Sequence, residues 1–443
     1  MNVDQQQLDL IEKSKKYIIK ASQKGLDVSC FADTYFTCSE SPGYSILEYF
    51  IYGKKKLINR VYMYFKSLYS IRRLNGYKTY GSNENKFFKK IVVSWSKKIN
   101  FLEDGSYNDK YFNVNSKENK KILWFLISLD NKFPENLDDN IVVLSKKNKS
   151  QKSLVYLIKI LFLNLFKFKF SIKKFVASLS FYSHFSNIIF KNIKPIIFRN
   201  NFDEMIMPYE SQPFQNYLFK NIRNIKKNIK TVGYIHSTQP FPSLNLYRDG
   251  APEKLFVHGS DQKFHLTKYL GWSNQTVDLI PSLRFKKKHE LKIENKILLP
   301  IYISNSNIYL NEFKRFLLNL KGKIKPLKII NHPEMENSNS HLSLIKKLNV
   351  LIDVNKNIFS KDSKQSEILI FGATSLVLEA LEREYKFIHI CAEPILESYT
   401  NVIWPSIDVT KINDYVFKYS LKNFRSCVNL GIENNMFRKY CVN

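Results

Sequence analysis

The stretch SEILIFGATSLVLEALERE, residues 366–384, changes its pattern within a few positions. Residues 368–371 form a continuous apolar run, which is typical of a strand that is covered on both faces. Gly372 permits a tight turn, and the apolar residues that follow recur at helical spacing. We interpret the stretch as a strand that runs directly into a helix, the repeating unit of a parallel α/β sheet.

The same alternation continues on both sides of this stretch. In the second half of the chain, strands are predicted at 297–304, 326–331, 350–355 and 387–394, with helices at 307–322 and 339–349. In the first half, mainly helical residues precede a series of strands, among them 90–95, 120–130 and 140–145. The charged segment 286–296 separates the two series. The sequence therefore predicts an α/β protein with two Rossmann-like domains, residues 1–290 and residues 296–443.

Composition narrows the class of protein. Among the 443 residues, 69 are basic and 39 acidic, so the net charge is +30. Such a charge suits a nucleic acid, an anionic membrane or a phosphorylated substrate; codon bias explains it equally well. The basic residues form no recognisable nucleic-acid motif, so we expect no nucleic-acid partner. The five cysteines lack metal-ligand spacing, and the polar N-terminus is unlike a signal peptide, so we expect a cytoplasmic protein.

The longest apolar run, residues 154–170, is interrupted by Lys159 and Asn164. It is too short and too polar to span a bilayer, which takes about 20 apolar residues. Two interpretations stay open. The run is either a buried helix of a large domain or a basic helix that lies on an anionic membrane.

Two polar features follow predicted strands in the second domain. His332 and Pro333 come directly after the strand at 326–331, and Thr374 with Ser375 opens the helix after Gly372. Ligands of doubly wound domains collect at the carboxyl ends of strands, and hydroxyls with free backbone N–H groups suit a phosphate. Glu379 lies one helical turn beyond Ser375, within reach of sugar hydroxyls. Neither a P-loop nor a G-x-G-x-x-G fingerprint occurs in the chain.

The His-Pro dipeptide, with a Thr-Ser pair some forty residues later, resembles the two CMP-binding motifs of bacterial sialyltransferases and Kdo transferases with the GT-B fold. The resemblance covers roughly residues 297–395. It implies that His332, Thr374 and Ser375 hold the donor phosphate and that Glu379 contacts the ribose. It also implies two Rossmann-like domains that face each other across a cleft, with the acceptor on the N-terminal side.

These families carry an acidic pair followed by glycine, whose acid deprotonates the acceptor. Glu103, Asp104 and Gly105 match in letters, although such a pair is also an ordinary turn. Glu210, at the end of a predicted strand, is the second candidate base and the slightly favoured one. The sequence alone leaves both open.

His236 also follows a predicted strand, and it resembles the catalytic histidine of polyol-phosphate transferases, although serine replaces the glycine that follows there. No D-x-D sequence occurs, so the usual ligands for a divalent metal are missing and no metal cofactor is expected. The negative charge of the leaving group is then expected to be stabilised by His332, the hydroxyls, the helix N-terminus and Arg284.

The resemblance implies transfer of an acidic sugar, a nonulosonate or Kdo, from a CMP-sugar to a surface polysaccharide, a lipopolysaccharide or another glycan or lipid-linked acceptor. It also allows peripheral contact with the inner membrane. Two other functions stay open: a CDP-polyol phosphotransferase with His236 as base, and a non-catalytic partner in polysaccharide assembly.

Overall fold

The computed structural model describes residues 2–30, 47, 49–51, 53, 57–81, 88–146, 153–167, 171, 174–175, 178–241, 245–288, 291–422, 426–432, 436–437 and 439–440. Three groups of residues discussed above lie outside the described part: Cys38 and Cys441, residues 168–170 of the long apolar run, and residues 289–290 of the charged segment between the predicted domains.

The first sheet has eight strands in the order β1-β6-β5-β2-β7-β8-β9-β10. All neighbouring strands are parallel except β1, which pairs antiparallel with β6 at one edge. A separate two-stranded ribbon, β3 and β4, follows β2. The strands are β1 Tyr77–Tyr80, β2 Lys90–Ser96, β3 Asn108–Asp109, β4 Val114–Asn115, β5 Ile122–Ser128, β6 Ile141–Lys146, β7 Glu204–Pro208, β8 Lys230–Tyr234, β9 Lys254–Val257 and β10 Val277–Leu279.

The second sheet has six strands in the order β12-β11-β13-β14-β16-β15. Four of them are parallel, and the last two pair antiparallel at one edge. The strands are β11 Lys296–Leu298, β12 Lys328–Ile330, β13 Ile368–Phe371, β14 Ile388–Ile390, β15 Ile407–Lys411 and β16 Val416–Leu421.

Helices connect the strands of both sheets. The described α-helices are α1 Val3–Gln23, α2 Leu57–Ser70, α3 Leu154–Lys167, α4 Phe181–Arg199, α5 Pro213–Ile225, α6 Ser260–Lys268, α7 Ser306–Leu318, α8 Asn339–Val354, α9 Leu376–Glu382 and α10 Pro394–Glu397. Strands β5 and β13 are buried along their whole length, as expected for strands covered on both faces. The predicted fold class, an α/β protein with two mainly parallel sheets, is confirmed.

Each sheet has a point where the strand order reverses. In the first sheet the chain moves from β2 outward to β5 and β6, and then returns to β7 on the other side of β2. In the second sheet β12 lies on one side of β11, and β13 lies on the other. Ligands of open α/β sheets bind in the crevice at such points, beyond the carboxyl ends of the strands. The loops after β2, β7, β11 and β13 are therefore the first places to look for a site.

Two element predictions were wrong. The strand predicted at 350–355 is instead the last part of α8. Buried residues of this helix, His341, Leu344 and Leu348, are spaced by three and four, so the helical periodicity outweighs the local run of β-formers. The strand predicted at 297–304 ends at Leu298, because Pro300 has no N–H group to continue the ladder.

Segments near both ends of the described chain each pack against the domain that contains the other sheet. Gln7 of α1 is fully buried, and its side-chain amide donates to the carbonyls of Ile395 and Ser398 at 2.9 and 3.1 Å. Near the other end, Phe437 packs into the core beside Trp124 of β5. The predicted boundaries, 1–290 and 296–443, stay a prediction; in space, α1 contacts the second unit and Phe437 contacts the first.

Candidate active site

Glu210 lies just beyond the end of β7, at the point where the order of the first sheet reverses. Its Oε1 atom is 3.2 Å from Nε2 of His236, and its Oε2 accepts a hydrogen bond from Gln212 at 2.8 Å. Its backbone N–H donates to Gln215 at 2.9 Å. The side chain is 21% exposed. Both the backbone and the carboxylate are therefore held in place while one side of the carboxylate stays open to a ligand.

The environment keeps Glu210 ionised. Burial alone would raise the pKa of the carboxyl, but the hydrogen bonds from His236 and Gln212 and the charge of Arg284 outweigh it. The net effect is a pKa below the ordinary value for glutamate. Glu210 is thus a carboxylate at neutral pH and is able to accept a proton.

The residue after Glu210 is strained. Ser211 has φ of 56°, in the left-handed region that non-glycine residues rarely adopt. Its carbonyl accepts hydrogen bonds from Asn216, at 3.0 Å, and from Arg248. Its hydroxyl lies 2.8 Å from that of Tyr209. Strain of this kind costs about 1–3 kcal/mol and persists where the surrounding structure enforces it, commonly at functional sites.

His236, which follows β8, is buried with 4% of its surface exposed. The ring of Tyr111 covers it, with ring centroids 4.5 Å apart. Its second ring nitrogen, Nδ1, is buried and has no hydrogen-bond partner in the described structure. The accessible member of the Glu210–His236 pair is therefore the carboxylate.

His332 begins a short 3-10 turn, Pro333–Met335, directly after β12. Its Nδ1 accepts a hydrogen bond from the backbone N–H of Glu334 at 3.2 Å, which assigns the ring proton to Nε2. Burial, together with the nearby positive charges of Arg284 and Lys110, lowers the pKa of His332, although Glu334 opposes this. His332 is therefore a neutral hydrogen-bond donor whose tautomer is fixed by its own turn.

Glu334 links the His332 turn to the first domain. Its carboxylate pairs with Lys97, beyond the end of β2, and with Lys110 at 3.1 Å. The ammonium of Lys110 lies 5.1 Å from the ring centroid of Tyr111, which in turn covers His236. A continuous path of contacts thus runs from the His332 turn to the Glu210–His236 pair.

The positive charge of Arg284 influences the residues at both ends of this path, Glu210 and His332. Its guanidinium is exposed and lies 5.2 Å from the ring centroid of Phe285. Its positive charge contributes to the lowered pKa of Glu210 and to that of His332. The same positive charge therefore favours the carboxylate form of Glu210 and the neutral form of His332.

A small pocket that opens to solvent is lined in part by Glu210. Three of its lining residues are buried and carry a polar atom without a hydrogen-bond partner in the described structure: Thr238 Oγ1, Asn245 Oδ1 and His265 Nδ1. Burial lowers the pKa of His265 to about 3, so its imidazole is neutral. Unpaired buried polar atoms are costly, so these three groups are suited to hydrogen-bond a polar, uncharged ligand.

Gly372 makes the turn after β13, with φ of 62°. A Cβ at this position would lie 2.6 Å from Tyr309 Oη and 2.8 Å from Pro300 Cγ, so only glycine fits. The carbonyl of Gly372 accepts a hydrogen bond from Nε2 of His389 at 2.7 Å. The close packing fixes the loop that carries Thr374 and Ser375.

The loop that carries the predicted phosphate-binding hydroxyls is joined to a loop that lines the pocket, while the Thr374 hydroxyl itself accepts a hydrogen bond from the backbone N–H of Leu376 at 3.3 Å. The hydroxyl of Tyr399 is 2.8 Å from the carbonyl of Thr238 and 2.9 Å from that of Thr374, so it joins the loops after β8 and β13. Ser375 is half-buried, and α9, which begins after it, has only seven residues. Glu379 is engaged in an ion pair with Arg383 at 3.0 Å.

Asp104, the other predicted base, caps its own turn. It pairs with Lys117 at 2.7 Å and accepts hydrogen bonds from Ser106, and these contacts lower its pKa. Its side chain is 51% exposed. In the described structure it makes no contact with Glu210, His236 or His332.

The sequence analysis did not single out Lys97, Lys110 or Tyr111. Lys97 follows β2 at the reversal of strand order, a signal that becomes visible only when the order is known. Within the described ranges, no group of three or more His, Cys, Asp or Glu residues is arranged to hold a metal ion.

Comparisons with known proteins give limited information. No family model matches the chain, and no curated protein sequence matches it. A solved glycosyltransferase from Rickettsia africae ESF-5 is similar with a TM-score of 0.34 and 13% identity, over 68% of this chain and 79% of that one. An α,α-trehalose 6-phosphate synthase from Burkholderia multivorans is similar with a TM-score of 0.35 and 10% identity, over 62% and 70%. Structural similarity this weak gives no information about the activity of this chain.

Proposed function

We propose that the protein is a glycosyltransferase that moves an acidic sugar from a CMP-sugar to a cell-surface polysaccharide or lipopolysaccharide acceptor. The observation that carries the proposal is that two polar groups at strand ends of different sheets are both influenced by the same cation. Glu210 is an ionised carboxylate, His332 is a neutral donor, and both experience the charge of Arg284. A base and a hydrogen-bond donor on different domains would suit transfer between two bound substrates. The choice of a CMP-sugar rests on the His-Pro and Thr-Ser resemblance.

Glu210 would act as the general base. In this scheme the acceptor hydroxyl gives its proton to the carboxylate while its oxygen forms a bond to the anomeric carbon. The bond from that carbon to the phosphate oxygen breaks, and its electron pair leaves with CMP. Hydrogen bonds from His236 and Gln212 hold the carboxylate in place, so His236 is a positioning residue.

His332 would stabilise the departing phosphate. Its Nε2–H is available because Nδ1 already accepts from the Glu334 amide. Arg284 adds a positive charge on the same side, and the Thr374 and Ser375 hydroxyls complete the proposed donor site. Donors aimed at the position where negative charge develops contribute more than contacts formed equally in the ground state.

The acceptor would bind in the pocket beside Glu210. The unpartnered oxygens of Thr238 and Asn245 and the neutral ring of His265 are suited to sugar hydroxyls. An anionic group would gain less there, because among the described residues no lysine or arginine lines this pocket and the carboxylate of Glu210 does.

The alternative function, transfer of a polyol phosphate from a CDP-polyol, is less well supported. It requires His236 as the base, yet its Nε2 is engaged by Glu210 and its Nδ1 is enclosed. A non-catalytic role would leave the strain at Ser211 and the ordered hydrogen bonds around Glu210 without a purpose.

The test is release of CMP from a CMP-nonulosonate or CMP-Kdo in the presence of a polysaccharide acceptor, with a chelator present. For Glu210→Gln we expect a fall of about 10²- to 10⁴-fold in turnover with CMP binding retained, since a general base contributes roughly this much. The control Asp104→Asn should be nearly unchanged. Full activity of Glu210→Gln, or loss only in Asp104→Asn, would exclude Glu210 as the base.

A further inference from the structure

Helix α3 exposes much of its apolar surface. Its exposed side carries the apolar residues Leu154, Val155, Ile158, Phe162, Leu163 and Phe166, which are 52% to 76% exposed. By contrast, the polar Asn164 is buried, and its side-chain amide lies 3.1 Å from Nε2 of His184. A helix of a water-soluble surface normally shows the opposite arrangement. The interpretation of this run as a buried core helix is therefore wrong.

Helix α2 repeats the pattern. Its exposed side carries Ile58, Val61, Tyr62, Phe65 and Tyr69, spaced by three and four residues. Its polar Ser67 is buried instead, and the hydroxyl accepts a hydrogen bond from the backbone of Phe181 at 3.1 Å. We call the exposed apolar side chains of α2 and α3 together the apolar ridge.

The two helices are held at one place in the fold. Both contact the 3-10 turn Ile71–Leu74, and both direct a polar side chain to the beginning of α4. At the start of α3, the backbone N–H of Ser153 also donates to the carbonyl of Arg72 at 3.4 Å. The apolar ridge is therefore formed by two helices that are anchored to the same part of the first domain.

The two chain segments that carry the apolar ridge contain basic residues and no acidic ones. Residues 49–83, which include α2, contain eight lysines and arginines and no acidic residue. Residues 140–202, which include α3, contain twelve and again no acidic residue. These two segments thus account for two thirds of the net charge of +30. Within the ridge itself, exposed Lys66 and Lys159 interrupt the apolar side chains.

We propose that the apolar ridge docks the protein on the surface of a bilayer that contains anionic lipids. Apolar and aromatic side chains would enter the boundary between headgroups and acyl chains, and the surrounding lysines and arginines would meet lipid phosphates. The proposal is independent of the proposed function. The proposal also gives a role to the basic residues of the segments that contain α2 and α3, which the proposed donor site does not use.

Two other occupants fit less well. A second copy of the chain would bring two strongly positive surfaces together, and like charges oppose such a contact. Insertion as a span is not available either, because no helix in the described part of the chain is long and apolar enough to cross a bilayer. A lipid surface satisfies both the apolar side chains and the positive charge.

The experiment is co-sedimentation of the full chain with vesicles of pure phosphatidylcholine and with vesicles that contain phosphatidylglycerol. The variant Phe162→Glu/Phe166→Glu removes two apolar ridge residues that are 58% and 70% exposed. The matched control is Leu318→Glu/Val354→Glu, two apolar residues of the second domain that are at least as exposed, at 69% and 74%. Circular dichroism and the melting temperature check that both variants fold.

We expect binding to the anionic vesicles that weakens at high salt, and at least a tenfold loss for the ridge variant, with the control unchanged. Failure of the wild-type chain to bind anionic vesicles would overturn the proposal. So would equal binding by the wild type and the ridge variant. A dimer in light scattering that only the ridge variant dissociates, together with absent vesicle binding, would assign the ridge to self-association instead.

Discussion

Nε2 of His236 lies 3.2 Å from Oε1 of Glu210, and this contact decides which of the two residues is available to a substrate. The histidine is buried beneath Tyr111, whereas the carboxylate borders an open pocket. In the proposed reaction Glu210 therefore meets the acceptor and His236 sets the position and the proton affinity of the carboxylate.

The first prediction concerns pH. Glu210 works as a base only when it is ionised, so activity is lost as the pH falls through its pKa. In His236→Ala the bond that lowers this pKa is absent and burial raises it, so the acid limb of kcat/KM should move to higher pH. Gln212→Met should produce a smaller shift in the same direction, and an unmoved acid limb in both variants would contradict the account.

The second prediction concerns the link between the domains. Glu334→Gln removes the ion pairs with Lys97 and Lys110. Because partly exposed pairs contribute about 0–1 kcal/mol each, stability should change little. The two ammonium groups should, however, react faster with an acylating reagent, as measured by mass spectrometry. Glu336→Gln is the matched control, since its exposed carboxyl has no ion pair in the described structure. Equal labelling in both variants would mean that these pairs do not persist in solution.

The third prediction concerns the turn after β13. Gly372→Ala should destabilise the protein by at least about 2 kcal/mol, from backbone strain and from contact with Tyr309 and Pro300. Urea unfolding measures the loss. The control Gly322→Ala should cost less than about 1 kcal/mol, because its new methyl group would meet no heavy atom closer than 3.9 Å. Equal losses would remove the special role of the Gly372 turn.

The fourth prediction separates the acceptor pocket from the donor site. Thr238→Val keeps the shape of the side chain but removes the unpartnered oxygen in the pocket. We expect the KM for acceptor to rise about three- to tenfold, the equivalent of one hydrogen bond, with CMP affinity unchanged. Thr267→Val on α6, outside the pocket, serves as the control. A parallel loss of nucleotide affinity would show that the pocket does not belong to the acceptor.

Features that depend on local sequence could be predicted, whereas features that depend on packing between distant segments could not. The unit of strand, Gly372 turn and helix was predictable because its pattern is local, and so was the position of His332 after a strand. Lys97 and Lys110 were not found, because their role depends on packing between two sheets. The outward direction of the apolar side chains on α3 was equally out of reach, since periodicity locates a stripe without saying which way it faces.

The central claim, a cytidine-nucleotide site built around His332, is tested most directly by calorimetric titration of the full chain with CMP, CDP, UDP and GDP. We predict selective binding of CMP and a loss of at least tenfold in affinity for His332→Ala, because that variant removes the fixed Nε2–H donor. A preference for CDP would favour the polyol-phosphate reaction instead. If no cytidine nucleotide binds, or if His332→Ala binds CMP as tightly as the wild type, the account of the donor site is wrong.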